Sequence, residues 1–150
     1  MWVFKNKKRY SINEKISYYR KLKKNTKDKK VKEKAENNLK RLDGYKKNKK
    51  FGVVLYTKDY YLNKNEPNKK KSRRVVLIGN DNNQAKIIPV KRDNGIICLS
   101  GFDKEQRFLK KKEITNLDYN NLYEKNNFTK SNNDKLTYQE KVMLKKKFNI

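Results

Sequence analysis

One stretch of this very polar chain constrains the fold more than any other: Lys69 to Arg92, KKKSRRVVLIGNDNNQAKIIPVKR. At its centre, Val75-Val76-Leu77-Ile78 is an aliphatic, β-branched run between polar flanks, which reads as a buried strand. Gly79-Asn80-Asp81-Asn82-Asn83 supplies residues that tolerate tight or left-handed turns. Ala85-Lys86-Ile87-Ile88-Pro89-Val90 reads as the return strand, with Pro89 admitted only near an end or on an edge. The product is a hairpin whose open ends carry Arg73-Arg74 on one side and Lys91-Arg92 on the other. Those four cations form the expected working site.

Charge sets the expected partner. The 150 residues hold 42 Lys+Arg against 16 Asp+Glu, a formal net charge of +26. Codon bias toward Lys and Asn would raise Asp and Glu as well, yet acids are scarce. Such a charge opposes compaction and favours polyanions, so nucleic acid is the first partner to expect and a membrane surface the second. No apolar run approaches the roughly 20 residues that span a bilayer. The apolar part of MWVFKNKKRY precedes its charges, the reverse of a signal peptide, so a cytoplasmic location is expected. The chain contains no histidine, which removes the usual general base and the commonest metal ligand. No carboxylate pairing or metal spacing is visible, so no cofactor is expected. Cys98 has no partner for an internal disulfide and reads as a buried structural thiol.

The remaining segments frame the hairpin. Ser11-Ile12-Asn13-Glu14 fits a capping box, and Ile12, Ile16, Tyr19 and Leu22 follow at helical spacing. After an interruption at Asn25-Thr26-Lys27-Asp28, where Thr26 or Asp28 can cap, Val31, Ala35, Leu39 and Leu42 mark a second stripe. Gly44 stands where a helix would end. Residues 1 to 50 carry 20 basic and 5 acidic side chains, hence +15, and read either as a basic binding face or as a solvated one. Phe51-Gly52-Val53-Val54-Leu55-Tyr56 reads as a strand, Lys58 to Ser72 as a long exposed loop, and Ile96-Ile97-Cys98-Leu99 as a strand after the Asp93-Asn94-Gly95 turn. One more strand is expected within Gln106 to Ile114. Asp118 can cap a short helix through Leu122. Thr137-Tyr138-Gln139-Glu140 forms a second capping box, before a last helix given an apolar side by Val142, Met143 and Phe148. This order predicts an α+β fold: a small, strongly bent antiparallel sheet or partial barrel, with an N-terminal helical hairpin and a C-terminal helix. Residues 1–50 form the basic helical extension and 51–150 the nucleic-acid-binding domain.

Several of these pieces, in this order, resemble the MazF/PemK-like family of toxin endoribonucleases over about two thirds of the chain, from Phe51 to Phe148. Phe51-Gly52-Val53-Val54 looks like the family's opening strand, and Lys71-Ser72-Arg73-Arg74-Val75-Val76-Leu77-Ile78 like its Lys-x-Arg-Pro-aliphatic strand. Ile88-Pro89-Val90-Lys91 is similar to its Ile-Pro-aliphatic-Thr strand end. Asp118 to Leu122 and Leu136 to Glu140 resemble its aspartate-led short helix and closing helix. The resemblance places Arg73 at the catalytic arginine, Arg74 at the family's proline and Lys91 at its threonine. A related group, neutralised by a small RNA rather than a protein, has extra helices and an active-site lysine, which would suit Lys91.

The resemblance implies metal-independent cleavage of single-stranded RNA, in which the 2′-hydroxyl attacks the adjacent phosphate. Arg73 offers a planar fork matched to a phosphate. Lys91 is a second clamp, or a base if Arg73, Arg74 and Arg92 crowd it. Ser72 and Ser100 are hydroxyl candidates, and Tyr56 and Phe102 can stack splayed bases. Arg74, Arg92 and the Lys69-Lys70-Lys71 run are expected nucleic-acid contacts. An antitoxin RNA or protein and a homodimer are the further partners implied. Two other functions fit the same residues. One is a non-catalytic basic nucleic-acid-binding protein of a phage or mobile element, in which the arginines are plain phosphate contacts. The other is an interaction protein that docks on a nucleic-acid machine.

Overall fold

The computed structural model describes residues 10–47, 51–62, 72–91, 97–99, 107–109, 113–124 and 136–149. Helix α1 (Ile12–Asn25) begins where Ser11 and Glu14 cap each other reciprocally: Glu14 N donates to Ser11 Oγ at 3.2 Å, and Ser11 N donates to Glu14 Oε1 at 3.1 Å. Thr26 closes α1, and Asp28 caps α2 (Lys29–Lys46) by accepting from Lys30 N and Val31 N. Gly44 does not end this helix as expected. It lies inside α2, because the next residue, Tyr45, is buried and its hydroxyl donates to Glu124 Oε2 at 2.7 Å. Those contacts offset the cost of about 1 kcal/mol for a glycine inside a helix.

Six strands follow: β1 (Val54–Lys58), β2 (Ser72–Asp81), β3 (Gln84–Lys91), β4 (Ile97–Leu99), β5 (Arg107–Leu109) and β6 (Thr115–Leu117). They form an open antiparallel sheet in the order β1-β2-β3-β5-β4, with β6 also pairing β3. The expected hairpin is its centre, but the turn is tighter than Gly79–Asn83. Only Asn82 and Asn83 turn, with φ of 49° and 65°, between the paired Asp81 and Gln84. Two left-handed residues match the twist of adjoining strands, and asparagine adopts that conformation readily. The register shifts between Leu77 and Gly79, so Ile78 is an extra residue that bends β2. Pro89 falls where the outer edge of β3 changes partner, from β6 at Ala85–Ile87 to β5 at Val90–Lys91. A residue without an N–H fits such a junction. The segment expected to hold one strand before Ile114 gives β5, and β6 follows it. Thr115-Asn116-Leu117 buries a single side chain, too little alternation to read in advance.

Helices cover both faces. On one, Val53, Leu55, Val75, Leu77, Ala85 and Ile87 pack with Ile12, Ile16 and Tyr19 of α1 and Ala35, Leu42 and Tyr45 of α2. Residues 10–47 of the basic N-terminal segment thus build one core with the strands. On the other face, Val54, Val76, Ile78 and Ile88 pack with Leu109, Leu136 and Leu144. Leu144 belongs to α3 (Tyr138–Phe148), which the Thr137–Glu140 capping box starts. The inward side of α3 is not the expected one: Glu140 and Leu144 are buried, one turn apart, while Val142 and Met143 are exposed.

Leu122–Glu124 ties these layers together. Tyr123 exchanges two backbone bonds with Tyr56 of β1, both 2.8 Å, and Ile12 N donates to Leu122 O at 2.9 Å. The Glu124 side chain then crosses to both helices. Its Oε1 accepts from Lys15 Nζ at 2.9 Å and from Arg41 Nη2 at 2.8 Å, and its Oε2 accepts from Tyr45. Lys15 is fully buried and Glu124 nearly so. Beside this cluster, at the first residue of a 3-10 turn (Tyr119–Asn121), the Tyr119 hydroxyl donates to Tyr45 O at 3.1 Å.

Two expectations follow from this junction. Glu124→Ala removes the anion shared by the buried Lys15 and the part-buried Arg41 and should lower unfolding free energy by about 3–5 kcal/mol in urea titrations. Burial also pushes the Tyr119 phenol from 10.0 up to about 12. Since the folded pKa is the higher one, the neutral phenol contributes stability that is complete below pH 10.0 and lost as pH rises toward about 12. Urea midpoints should fall across that alkaline window, and Tyr119→Phe should make the fall shallower.

Candidate nucleic-acid interface

The expected catalytic and binding residues sit where β1 ends and β2 begins. There the ladder pairs Tyr56 with Arg74, Thr57 with Arg73 and Lys58 with Ser72. Val75 pairs with Pro89, and two residues further along each strand lie Arg73 and Lys91. The backbone of Lys91, which closes β3, therefore reaches the level of Arg73. The hairpin does bring these two positions to one end of the sheet.

Strand alternation then divides the cations that the sequence grouped. Successive residues in a strand face opposite sides of the sheet. Arg73 follows the phase of Thr57, Val75 and Leu77, toward α1 and α2; Arg74 follows that of Tyr56, Val54 and Val76, toward α3. Ser72 shares the phase of Arg74, so the hydroxyl and the guanidinium next to it address different faces. Ser72 is exposed, and Arg74 and Tyr56 are half-buried opposite one another. Arg73 and Arg74 are thus two sites rather than one cluster. Lys69, Lys70, Lys71, Arg92, Ser100 and Phe102 lie outside the described residues, as do the side chains of Lys91 and Cys98.

Arg73 has a partner that spacing alone did not reveal. After β1 the chain makes a second 3-10 turn, Asp59–Tyr61, and Asp59 Oδ1 accepts from Arg73 Nε at 2.7 Å. The pair is lopsided in exposure: the Asp59 side chain is 4% exposed and that of Arg73 42%. A buried carboxylate on Nε fixes the plane of the guanidinium and leaves the edge between its two terminal nitrogens directed away from the ion pair. That edge is the one that grips a phosphate bidentately. Among the described residues Asp59 is the only partner of Arg73.

The turn that carries Asp59 also carries two tyrosines. Tyr60 follows Asp59 in the same turn, is 45% exposed, and lies against Tyr61 with ring centroids 4.3 Å apart. Burial, with a hydrogen bond and charge from Tyr60, raises the Tyr61 pKa. Tyr61 and Leu62 pack on the core that α1 and α2 share with the sheet, which anchors the turn. The arrangement offers a cation, a held guanidinium edge and an exposed ring. Among the described residues it offers no evident proton acceptor on the Arg73 side, since Asp59 is engaged by Arg73. Among the described residues no group of three or more His, Cys, Asp or Glu could hold a metal ion, and no helix is long and apolar enough to cross a membrane. Comparison of the chain with protein-family models, with curated proteins and with solved structures finds no match in any of them.

Proposed function

We propose that this protein binds single-stranded RNA at the end of the sheet where β1 meets β2, with Arg73 on a phosphate and Tyr60 against a base. The observation that carries the proposal is the Asp59–Arg73 pair, in which a buried carboxylate aims a partly exposed guanidinium. On a chain of net charge +26, such a fork has a polyanion as its natural partner. Single-stranded RNA is favoured over duplex because its splayed bases can reach an exposed ring while its phosphates remain available.

Cleavage is the second reading, favoured by the level placement of Arg73 and Lys91, the two positions that the MazF/PemK resemblance puts in the active site. In that reading the protein is the toxin of a toxin–antitoxin pair on a MazF/PemK-like sheet. Arg73 stabilises charge on the phosphorane oxygens, and the neutral amine of Lys91 takes the proton of the 2′-hydroxyl as its oxygen bonds to phosphorus. The P–O5′ bond then breaks and the 5′-oxygen takes a proton from the Lys91 ammonium or from water, which leaves a cyclic phosphate and a 5′-hydroxyl. Ser72 has no part in it, being on the opposite face from Arg73.

Arg73→Ala should weaken binding of a labelled oligouridine by roughly tenfold, the worth of one charge-assisted hydrogen-bonded contact. Arg73→Lys, which keeps the charge and loses the fork, should recover only part. Unchanged affinity in Arg73→Ala, at an unchanged melting temperature, would refute the assignment. The salt slope supplies a second check: log affinity should fall linearly with log salt, by about 0.7 per phosphate neutralised. For cleavage, an RNA bearing a single 2′-deoxy substitution at the cut position should resist while the all-ribose strand is cut in chelator. Binding without any product in either strand leaves the first reading and removes the second.

A further inference from the structure

Exposed apolar surface is concentrated on α3, which covers the face of the sheet opposite α1 and α2. Among the described residues four large hydrophobic side chains are exposed, and three lie on the 11-residue α3: Tyr138 at 80%, Val142 at 45% and Met143 at 38%. Tyr138 and Val142 are four residues apart and so share one stripe of the helix. This stripe lies away from Glu140 and Leu144, which face the core. Apolar groups on a helix gain nothing from water, and here a full turn of them is left there.

The charge on the same helix is of one sign. It carries Lys141, Lys145, Lys146 and Lys147, and its single acid, Glu140, is buried with a carboxylate oxygen committed to Thr137 N at 2.8 Å. Lys145 lies over the Phe51 ring at 4.8 Å, which fixes one cation at the edge of the stripe. Among the described residues the outer face of α3 is therefore apolar and cationic with no acid.

We infer that the outer face of α3 docks an acidic protein segment that carries aliphatic anchors at helical spacing. Charge selects this occupant. A second copy of the chain would set four lysines against four lysines, on molecules that each carry +26. RNA supplies the negative charge and could stack one base on Tyr138, but it leaves the aliphatic Val142 and the Met143 side chain without an apolar partner. A lipid surface needs a broader apolar face than three side chains provide. An acidic helix with leucines on one side satisfies both properties, as in helix-on-helix recognition. The patch is small, so the complex should be weak and reversible.

The test uses the full chain and a fluorescent synthetic peptide about five turns long, with leucines at the i, i+3, i+4, i+7 spacing of one helix face and glutamates elsewhere. A peptide of the same composition in scrambled order is the comparison. The patterned peptide should bind about tenfold more tightly, the worth of one well-buried anchor. A Tyr138→Ser, Val142→Ser double variant should erase that preference; its melting temperature should not move, both residues being exposed. Equal affinity for the two peptides, or a preference that survives the double variant, overturns the inference. Loss of binding to oligouridine, or to phosphatidylserine vesicles, in the double variant also overturns it and assigns the face to that ligand. Arg73→Ala should leave the peptide preference intact, so failure of the RNA reading and failure of this one are separable.

Discussion

The structure depends on one carboxylate. Glu124 lies on a short segment whose backbone joins β1 to the start of α1, and its two oxygens collect Lys15 and Tyr45, with Arg41, from both N-terminal helices. A chain with +26 of net charge does not readily pack two helices against a sheet, because the helices lie in residues 1–50, which carry +15 of that charge. Sorting the exposed lysines outward solves most of that problem. Lys15 cannot be sorted outward, since it shares the inward side of α1 with Ile12, Ile16 and Tyr19. A buried ion pair does little for net stability against an apolar alternative. It does penalise every arrangement in which the cations are buried and the anion is elsewhere. Glu124 thus acts chiefly on which docking of the helical hairpin is allowed.

That docking governs the candidate interface. Asp59 is buried because its turn is anchored by Tyr61 and Leu62, which pack on the core that the helices complete. Without the helices, Asp59 would be a solvated carboxylate and its pairing with Arg73 a surface contact of small worth. With them, the carboxylate is held and the guanidinium takes its direction from it. The basic N-terminal segment therefore has a structural part in the site as well as an electrostatic one.

The parts of the fold set by short-range rules were legible in the residues. Ser11 with Glu14 and Thr137 with Glu140 mark helix starts because a cap needs only a side chain three positions from its partner. The Val75–Ile78 run marks the central strand because it is an unbroken aliphatic run between polar flanks, followed by turn residues and a second apolar run. Gly44 misled because its local signal, a helix stop, is weaker than the contacts made by Tyr45. On α3, Val142 and Met143 misled because apolar identity does not say which side of a short helix meets the sheet; Leu144 and Leu136 decide that. The site was legible by address and illegible by geometry. Arg73 and Lys91 do come to one end of the sheet, but the sequence grouping of Ser72, Arg73 and Arg74 ignored the period of two in a strand. Asp59 and Glu124 carried no signal, because their partners stand 14 and up to 109 residues away.

The division of Ser72, Arg73 and Arg74 between two faces bears on the chemistry. Cleavage through the 2′-hydroxyl needs three things at one phosphate: alignment, a proton acceptor and charge stabilisation. On the Arg73 face, the fork supplies the last, and its fixed plane contributes to the first. The acceptor must then come from a residue other than Ser72, which is on the wrong face, and other than Asp59, whose carboxylate is engaged in holding the fork. Asp59 holds the fork through Oδ1, and taking up a proton would remove the negative charge that orients the guanidinium. Among the described residues, a cleaving enzyme built on this end of the sheet is left with Lys91, or with the phosphate itself, for its base. A binding protein would need nothing beyond the fork and the exposed ring already in place.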